Sequence, residues 1–201
     1  MVDYKSLPIG DQAPSVIYAV VEIPKDSKHK YEYDPRLGVF RLDRVLHSAV
    51  YYPTEYGFIP STQGDDGDPL DVMIFLSWPT FPGCVLEARP VGKLNMVDDK
   101  GIDEKILAVA QNDPRYQRID QLETIEPHLL KEIEQFFGVY KSLEGKRSLT
   151  FGWSGKTEAL QRIEACRCPR PLPLKKQKHF EFFVIFKKPS AWIAQCFHPR
   201  L

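Results

Sequence analysis

The sequence predicts an α+β fold: a run of strands forming an antiparallel sheet or barrel, followed by two helices. Three observations carry this. Short apolar, β-branched or alternating segments recur between Ser15 and Gln111. Beyond Asp113 the apolar spacing changes from two to three and four. The chain also carries 17 prolines, more in keeping with many turns than with a helical bundle.

Ser15–Pro24, "SVIYAVVEIP", is apolar, β-branched and closed by proline, which predicts a strand. "HKYEYD" (His29–Asp34) and "VFRLDRVL" (Val39–Leu46) alternate polar and apolar residues around the turn "DPRLG", which predicts a hairpin. "YYPTEYGFIPST" is aromatic but broken by two prolines, so irregular backbone or an edge strand is expected. "LDVMIFLS" and "EKILAVAQ" read as strands. "CVLEARPVGKLNMVDD" reads as one long strand bent near Pro90 and Gly92.

In "EPHLLKEIEQFFGVYKSLE" the residues Leu129, Leu130, Ile133, Phe136, Phe137 and Tyr140 fall at helical spacing. "SGKTEALQRIEAC" predicts a second helix, with Ser154 as its N-cap and Gly152 and Trp153 in the turn before it. Residues 1–166 are expected to form a single domain. Residues 167–201 open with a basic, proline-rich stretch and run into the apolar segment Phe180–Phe186, and are expected to be an atypical, poorly ordered extension. At its border and within it "CRC" and "CFH" offer Cys166, Cys168, Cys196 and His198 as a zinc set, but the one-residue spacers argue against it.

Bulk composition excludes several classes. The formal net charge is zero, so no global field points to nucleic acid or a membrane. No apolar run has membrane-spanning length, and the N-terminal stretch lacks the apolar core of a signal peptide, so the expected location is the cytoplasm.

The chemistry concentrates in "GDDGDPLDV", where Asp65, Asp66, Asp68 and Asp71 crowd into seven residues. Alone, such a stretch reads as a solvated turn. Here it leads into a strand, and a second acidic set, Asp98, Asp99, Asp103 and Glu104, stands at another strand–turn–strand junction. If the two loops share one end of a sheet, their carboxylates gather. Oxygen-only ligation suits Mg²⁺ first, then Mn²⁺ or Ca²⁺, and the spacing does not fit an EF-hand. Lys30, Arg44, Lys105 and Lys141, with Tyr52, Tyr56 and Tyr140, lie at or beside the ends of the predicted elements. Carboxylates, cations and hydroxyls together are what a metal-dependent phosphate site requires.

These residues resemble the soluble family I inorganic pyrophosphatases of bacterial and cyanobacterial type. "DGDPLDV" matches the family signature, and "VEIP", "KYEYD", "LDRVL", "YYPTEYGFIP", "PTFPGCV", "RPVG", "DEKILAV", "DPRY" and "FFGVYKSLE" follow in the family's order over about Val16 to Gly152. The resemblance implies a five-stranded OB-like barrel flanked by two helices, hydrolysis of pyrophosphate to two orthophosphates with Mg²⁺, and a hexameric homo-oligomer. It implies Asp66, Asp71 and Asp103 as ligands of the tighter metal, Asp98 at a second, and Glu22 and Glu32 nearby. It implies Asp68 as proton acceptor with Tyr56 as its neighbour. Lys30, Arg44, Lys105, Tyr140 and Lys141 become phosphate ligands, and Tyr52 an active-site residue. A nucleic-acid-binding barrel is the competing class, disfavoured by aspartates in the groove. A structural Ca²⁺ module would leave the four cations without a role.

If the extension is dispensable, truncation after Arg167 leaves assembly, read by light scattering, and turnover unchanged.

Overall fold

The computed structural model describes residues 2–99 and 101–168. Its strands are β1 (Ile17–Ile23), β2 (His29–Asp34), β3 (Val39–Val45), β4 (Glu55–Phe58), β5 (Asp71–Phe75), β6 (Val85–Asp98), β7 (Gly101–Ile102), β8 (Lys105–Ala110) and β9 (Leu149–Ser154). Its α-helices are α1 (Pro127–Val139) and α2 (Lys156–Ala165). The described residues all belong to one compact unit, Met1–Pro169. Cys196, His198 and the run Phe180–Phe186 lie outside the described residues.

Five strands close a ring. β1 pairs with β4, β4 with β5, β5 with β8 and β8 with β6, and β6 returns to β1. The long strand β6 makes closure possible. Val85–Ala88 serves β1, Ala88–Leu94 serves β8, and Lys93–Val97 serves β9. Its register shifts between Pro90 and Gly92, where proline has no N–H to give the ladder. β2 and β3 form a separate hairpin, with Lys30 directly opposite Arg44.

The one parallel pairing in the ring is β5 with β8, Val72 opposite Ile106 through Phe75 opposite Val109. Both strands are buried on both faces, which explains their unbroken apolar runs. Alternation splits their side chains. Met73, Phe75, Leu107 and Val109 join the cluster packed by Ile133, Phe136 and Phe137 of α1. Val72, Ile74, Ile106 and Ala108 join the cluster packed by Ala159 and Ile163 of α2.

The fold departs from the sequence expectation at several points. "YYPTEYGFIPST" contains β4, which is neither irregular nor an edge strand. All four of its residues are buried between β1 and β5, and Pro53 and Pro60 fall outside its ladder. Gly152, Trp153 and Ser154 belong to β9, not to a turn and a helix cap. The N-cap of α2 is Gly155, with no side-chain hydrogen bond. β9 is ordered by pairing with β6 and by Trp153, which packs on the core and donates to Glu134 of α1 at 2.5 Å. Leu129 sits on the outer side of α1, more than a third exposed.

Gly57 on β4 faces β1 so closely that an added Cβ would meet Val20 O at 1.9 Å. Because the obstacle is backbone, no side chain can swing away. Gly57→Ala is expected to cost more than the ~1–3 kcal/mol typical of overpacking, measured by urea denaturation. A stability within 0.5 kcal/mol of the parent, roughly the ordinary surface-substitution range, would contradict this packing.

Candidate active site

Parallel pairing sets the N-terminal ends of β5 and β8 side by side. Asp71 opens β5 and Lys105 opens β8, so the acidic loops preceding them converge. Between them lies a cavity of about 420 Å³, walled also by the β2–β3 hairpin and the C-terminal end of α1.

The loop Gly64–Pro69 is shaped by its own hydrogen bonds. Gly64 N–H donates to Asp68 O at 2.7 Å and Gly67 N–H to Gly64 O at 3.2 Å. Asp66 Oδ1 accepts from Asp68 N–H at 3.1 Å. Gly67 has φ +87°, a backbone that L side chains resist, so glycine is required for the turn that presents Asp66 and Asp68.

At the cavity floor Lys105 is 1% exposed. Its Nζ donates to Asp71 Oδ2 at 2.7 Å, Asp103 Oδ1 at 2.8 Å and Tyr56 Oη at 3.1 Å. Tyr56 Oη in turn donates to Asp71 Oδ2 at 2.6 Å. Burial acts to lower the Lys105 pKa, but Asp71 and Asp103 outweigh it and hold the ammonium charged. Burial raises Asp103, with Lys105 opposing and Asp71 adding to the rise.

The hairpin forms one wall. Lys30 pairs with Glu32 and lies 3.6 Å from Asp43. Arg44 donates through Nη1 to Asp43 at 2.6 Å and through Nε to Glu144 at 3.0 Å. These carboxylates offset the repulsion between two cations placed opposite each other. Glu22 Oε1, from β1, accepts from Tyr33 N–H at 2.8 Å and so ties the hairpin to the barrel. Burial of its carboxyl pushes Glu22 up to about 7; Asp71 adds to the rise, while the Tyr33 N–H and Lys30 oppose it.

α1 supplies the facing wall. Its buried Phe136 and Phe137 fix the helix, whose end carries Tyr140 and Lys141 to the cavity. Lys141 Nζ donates to Asp98 Oδ2 at 2.8 Å. Burial tends to lower the Lys141 pKa, and Tyr140 with Asp98 more than reverses this.

Of the residues singled out in the sequence, Glu22, Lys30, Glu32, Arg44, Tyr56, Asp66, Asp68, Asp71, Asp98, Asp103, Lys105, Tyr140 and Lys141 all line this one cavity. Tyr52 does not. It is 2% exposed and packs behind the wall, its ring 4.8 Å from Phe136 and 5.4 Å from Tyr56. Four charged lining residues were not singled out in the sequence: Lys5, Asp43, Lys146 and Arg162. Lys5 lies 3.3 Å from Asp68, and Arg162 lies 2.7 Å from Asp65. Asp43 was not legible from alternation, which points it away from Arg44; it is the residue skipped where the hairpin register shifts, Lys30 pairing Arg44 and Tyr31 pairing Leu42. Lys5 and Arg162 carry no local signal, because only folding brings them to the loop. Asp65, to which the resemblance assigns no role, is held in that ion pair with Arg162.

Among the described residues, no three carboxylate, thiol or imidazole groups already stand at metal-ligating spacing. The lysines account for this: Lys105 holds Asp71 and Asp103, Lys141 holds Asp98, and Lys5 holds Asp68. The lining comprises eleven carboxyl groups against seven cationic side chains, a formal excess of four negative charges with every carboxyl ionised.

The family model described as inorganic pyrophosphatase matches residues 19–168. The inorganic pyrophosphatase of Thermus thermophilus is 46% identical over 169 residues, spanning 83% of this chain and 97% of its own. That of a Nostoc species is 53% identical over 140 residues, spanning 70% of this chain and 83% of its own. A crystal structure of inorganic pyrophosphatase from Thermus thermophilus superposes with a TM-score of 0.81 at 45% identity, covering 82% of this chain and 97% of that one.

The raised Glu22 makes a pH prediction. A carboxyl that binds its proton more tightly folded than unfolded stabilises the fold at low pH and loses that contribution as pH rises from about 4.5 to about 7. In chelator, Glu22→Gln should therefore gain stability relative to the parent across that window, read by denaturation at each pH. A difference that stays constant would show that Glu22 is not shifted.

Proposed function

The chain belongs to the inorganic pyrophosphatase family, a family of hydrolases, and from that premise we propose that it cleaves pyrophosphate to two orthophosphates with Mg²⁺. The observation that carries this is the charge balance of the cavity. An excess of four negative charges repels an anionic substrate, and two divalent cations would offset it. The donor set fits: every candidate ligand is a carboxylate oxygen, as a hard cation requires, with no thiol or imidazole among them.

Asp66, Asp71, Asp98 and Asp103 would hold the metal, with Glu22 and Glu32 beside them. Asp71, Asp98 and Asp103 must then exchange lysine for metal, which frees Lys105 and Lys141 to meet phosphate oxygens. When bound, Mg²⁺ lowers the proton affinity of water and screens phosphate charge. Asp68, exposed at the cavity mouth, accepts the proton of the attacking water, and attack on one phosphorus proceeds in line. Lys30 and Arg44 grip the substrate from the hairpin. Lys105, Tyr140 and Lys141 bind it from the floor and from the end of α1, and the cations spread the charge of the departing phosphate. Tyr56, which the resemblance makes the neighbour of Asp68, bonds instead to Asp71 at 2.6 Å and would orient that carboxylate. Tyr52 serves the site from behind, by fixing the position of the Tyr56 ring.

A homo-oligomer, a hexamer by resemblance, and a cytoplasmic location complete the reading. Among the described residues no helix is long and apolar enough to cross a membrane.

Phosphate release from pyrophosphate tests the proposal. The parent should require Mg²⁺, and Asp68→Asn should lower turnover ~10²-fold or more while its circular dichroism stays unchanged. Full activity in chelator would remove the metal from the mechanism. Near-normal turnover of Asp68→Asn would remove Asp68.

A further inference from the structure

The geometry points to Arg162 of α2 as a positioning residue that fixes the separation of the two acidic loops and so sets the affinity for the divalent cation. Its Nη2 donates to Asp65 Oδ2 at 2.7 Å, and its Nε lies 2.9 Å from Glu104 Oε2, an ion-pair contact outside hydrogen-bonding geometry. Asp65 immediately precedes Asp66. Glu104 stands between Asp103 and Lys105. One guanidinium therefore grips both segments that carry the candidate metal ligands, at the residue next to each.

The anchor is itself rigid. α2 buries Ala159 and Ile163, and Cys166 at its end is also buried. Just past its end, Cys166 O accepts from Gln63 N–H at 2.7 Å and Cys168 N–H donates to Ser61 O at 2.9 Å, so the helix end is bonded to the chain leading into the acidic loop. On the other side Glu104 pairs with Lys93, whose Nζ donates to Asn95 Oδ1 at 2.8 Å, and Asn95 donates to Ser154 Oγ at 2.9 Å. Arg162 is thus held between a docked helix and a network rooted in β6 and β9. Burial tends to lower its pKa, and Asp65 and its neighbours raise it above the ordinary value.

Partners that orient metal ligands without touching the metal commonly change its affinity by about 10–100-fold. The sign separates positioning from charge. Deleting a cation beside the site and unmasking two carboxylates would tighten binding of a divalent cation through electrostatics alone. Loss of positioning would weaken it. The inference rests on the Mg²⁺ reading above.

The test is calorimetric titration of the full chain with magnesium chloride, without substrate, for the parent, Arg162→Gln and Arg162→Lys. The expected result is saturable binding by the parent, weakened ~10-fold or more in Arg162→Gln. Arg162→Lys keeps the charge, but a single ammonium cannot replace a two-sided guanidinium, so binding should also weaken, by a smaller factor. Arg162→Gln binding as tightly as the parent, or more tightly, overturns the inference while leaving the metal reading intact. A parent that shows no saturable binding overturns both. If Arg162→Gln does not fold, as judged by its melting transition in chelator, Arg162→Lys decides, and an unchanged affinity there rejects the role.

Discussion

One buried cation organises this molecule. Lys105 sits at 1% exposure, where an uncompensated ammonium would cost several kcal/mol. Asp71 and Asp103 make its burial tolerable, and Tyr56 bonds to both Lys105 and Asp71. That arrangement is available only because β5 and β8 run parallel. In an antiparallel pair Asp71 and Lys105 would lie at opposite ends, and the two acidic loops would point apart. The parallel pairing in turn demands apolar burial on both faces, which α1 and α2 supply from opposite sides. Closing the barrel therefore brings the two acidic loops together, and the hairpin and α1 complete the cavity around them.

The cavity is poised between two sets of partners. Asp68, Asp71, Asp98 and Asp103 are held by Lys5, Lys105 and Lys141, while Lys30 and Arg44 are held by Glu32, Asp43 and Glu144. Each pair satisfies its members without an external ion. Under the proposed function each would be exchanged: carboxylates would turn to a metal, lysines to phosphate oxygens. Exchange on both sides at once would preserve charge balance and so link metal and substrate binding electrostatically. Glu22 lies at the same cavity, its pKa raised by burial with Asp71 adding to the rise.

Much was legible in the order of residues. Each of the strands read from alternation or apolar runs is present, because those patterns are the local signature of a pleated, buried surface. The bend of β6 at Pro90 and Gly92 was legible for the same kind of reason, proline having no donor for the ladder. "DGDPLDV" announced a turn feeding a strand, and Gly67 at φ +87° bears out the need for glycine there. The central place of β4 was not legible, since prolines that bracket a strand look like prolines that break one. β9 was hidden although Leu149, Phe151 and Trp153 alternate along it, because Gly152 and Ser154 read as a turn and a helix cap.

The sequence by itself determined the chemistry on offer: carboxylates in two short loops, cations and tyrosines near the ends of elements, and the periodicity that builds a barrel and two helices. Only the tertiary structure decided which of these meet. It set Tyr52 behind the wall, brought Lys5 from one end of the described chain to Asp68, and brought Arg162 from the other to Asp65. The physical reason is range. Turn geometry and strand alternation act over a few residues and are written locally, whereas the neighbour of a charge across 97 positions is fixed by strand register and by the docking of a helix.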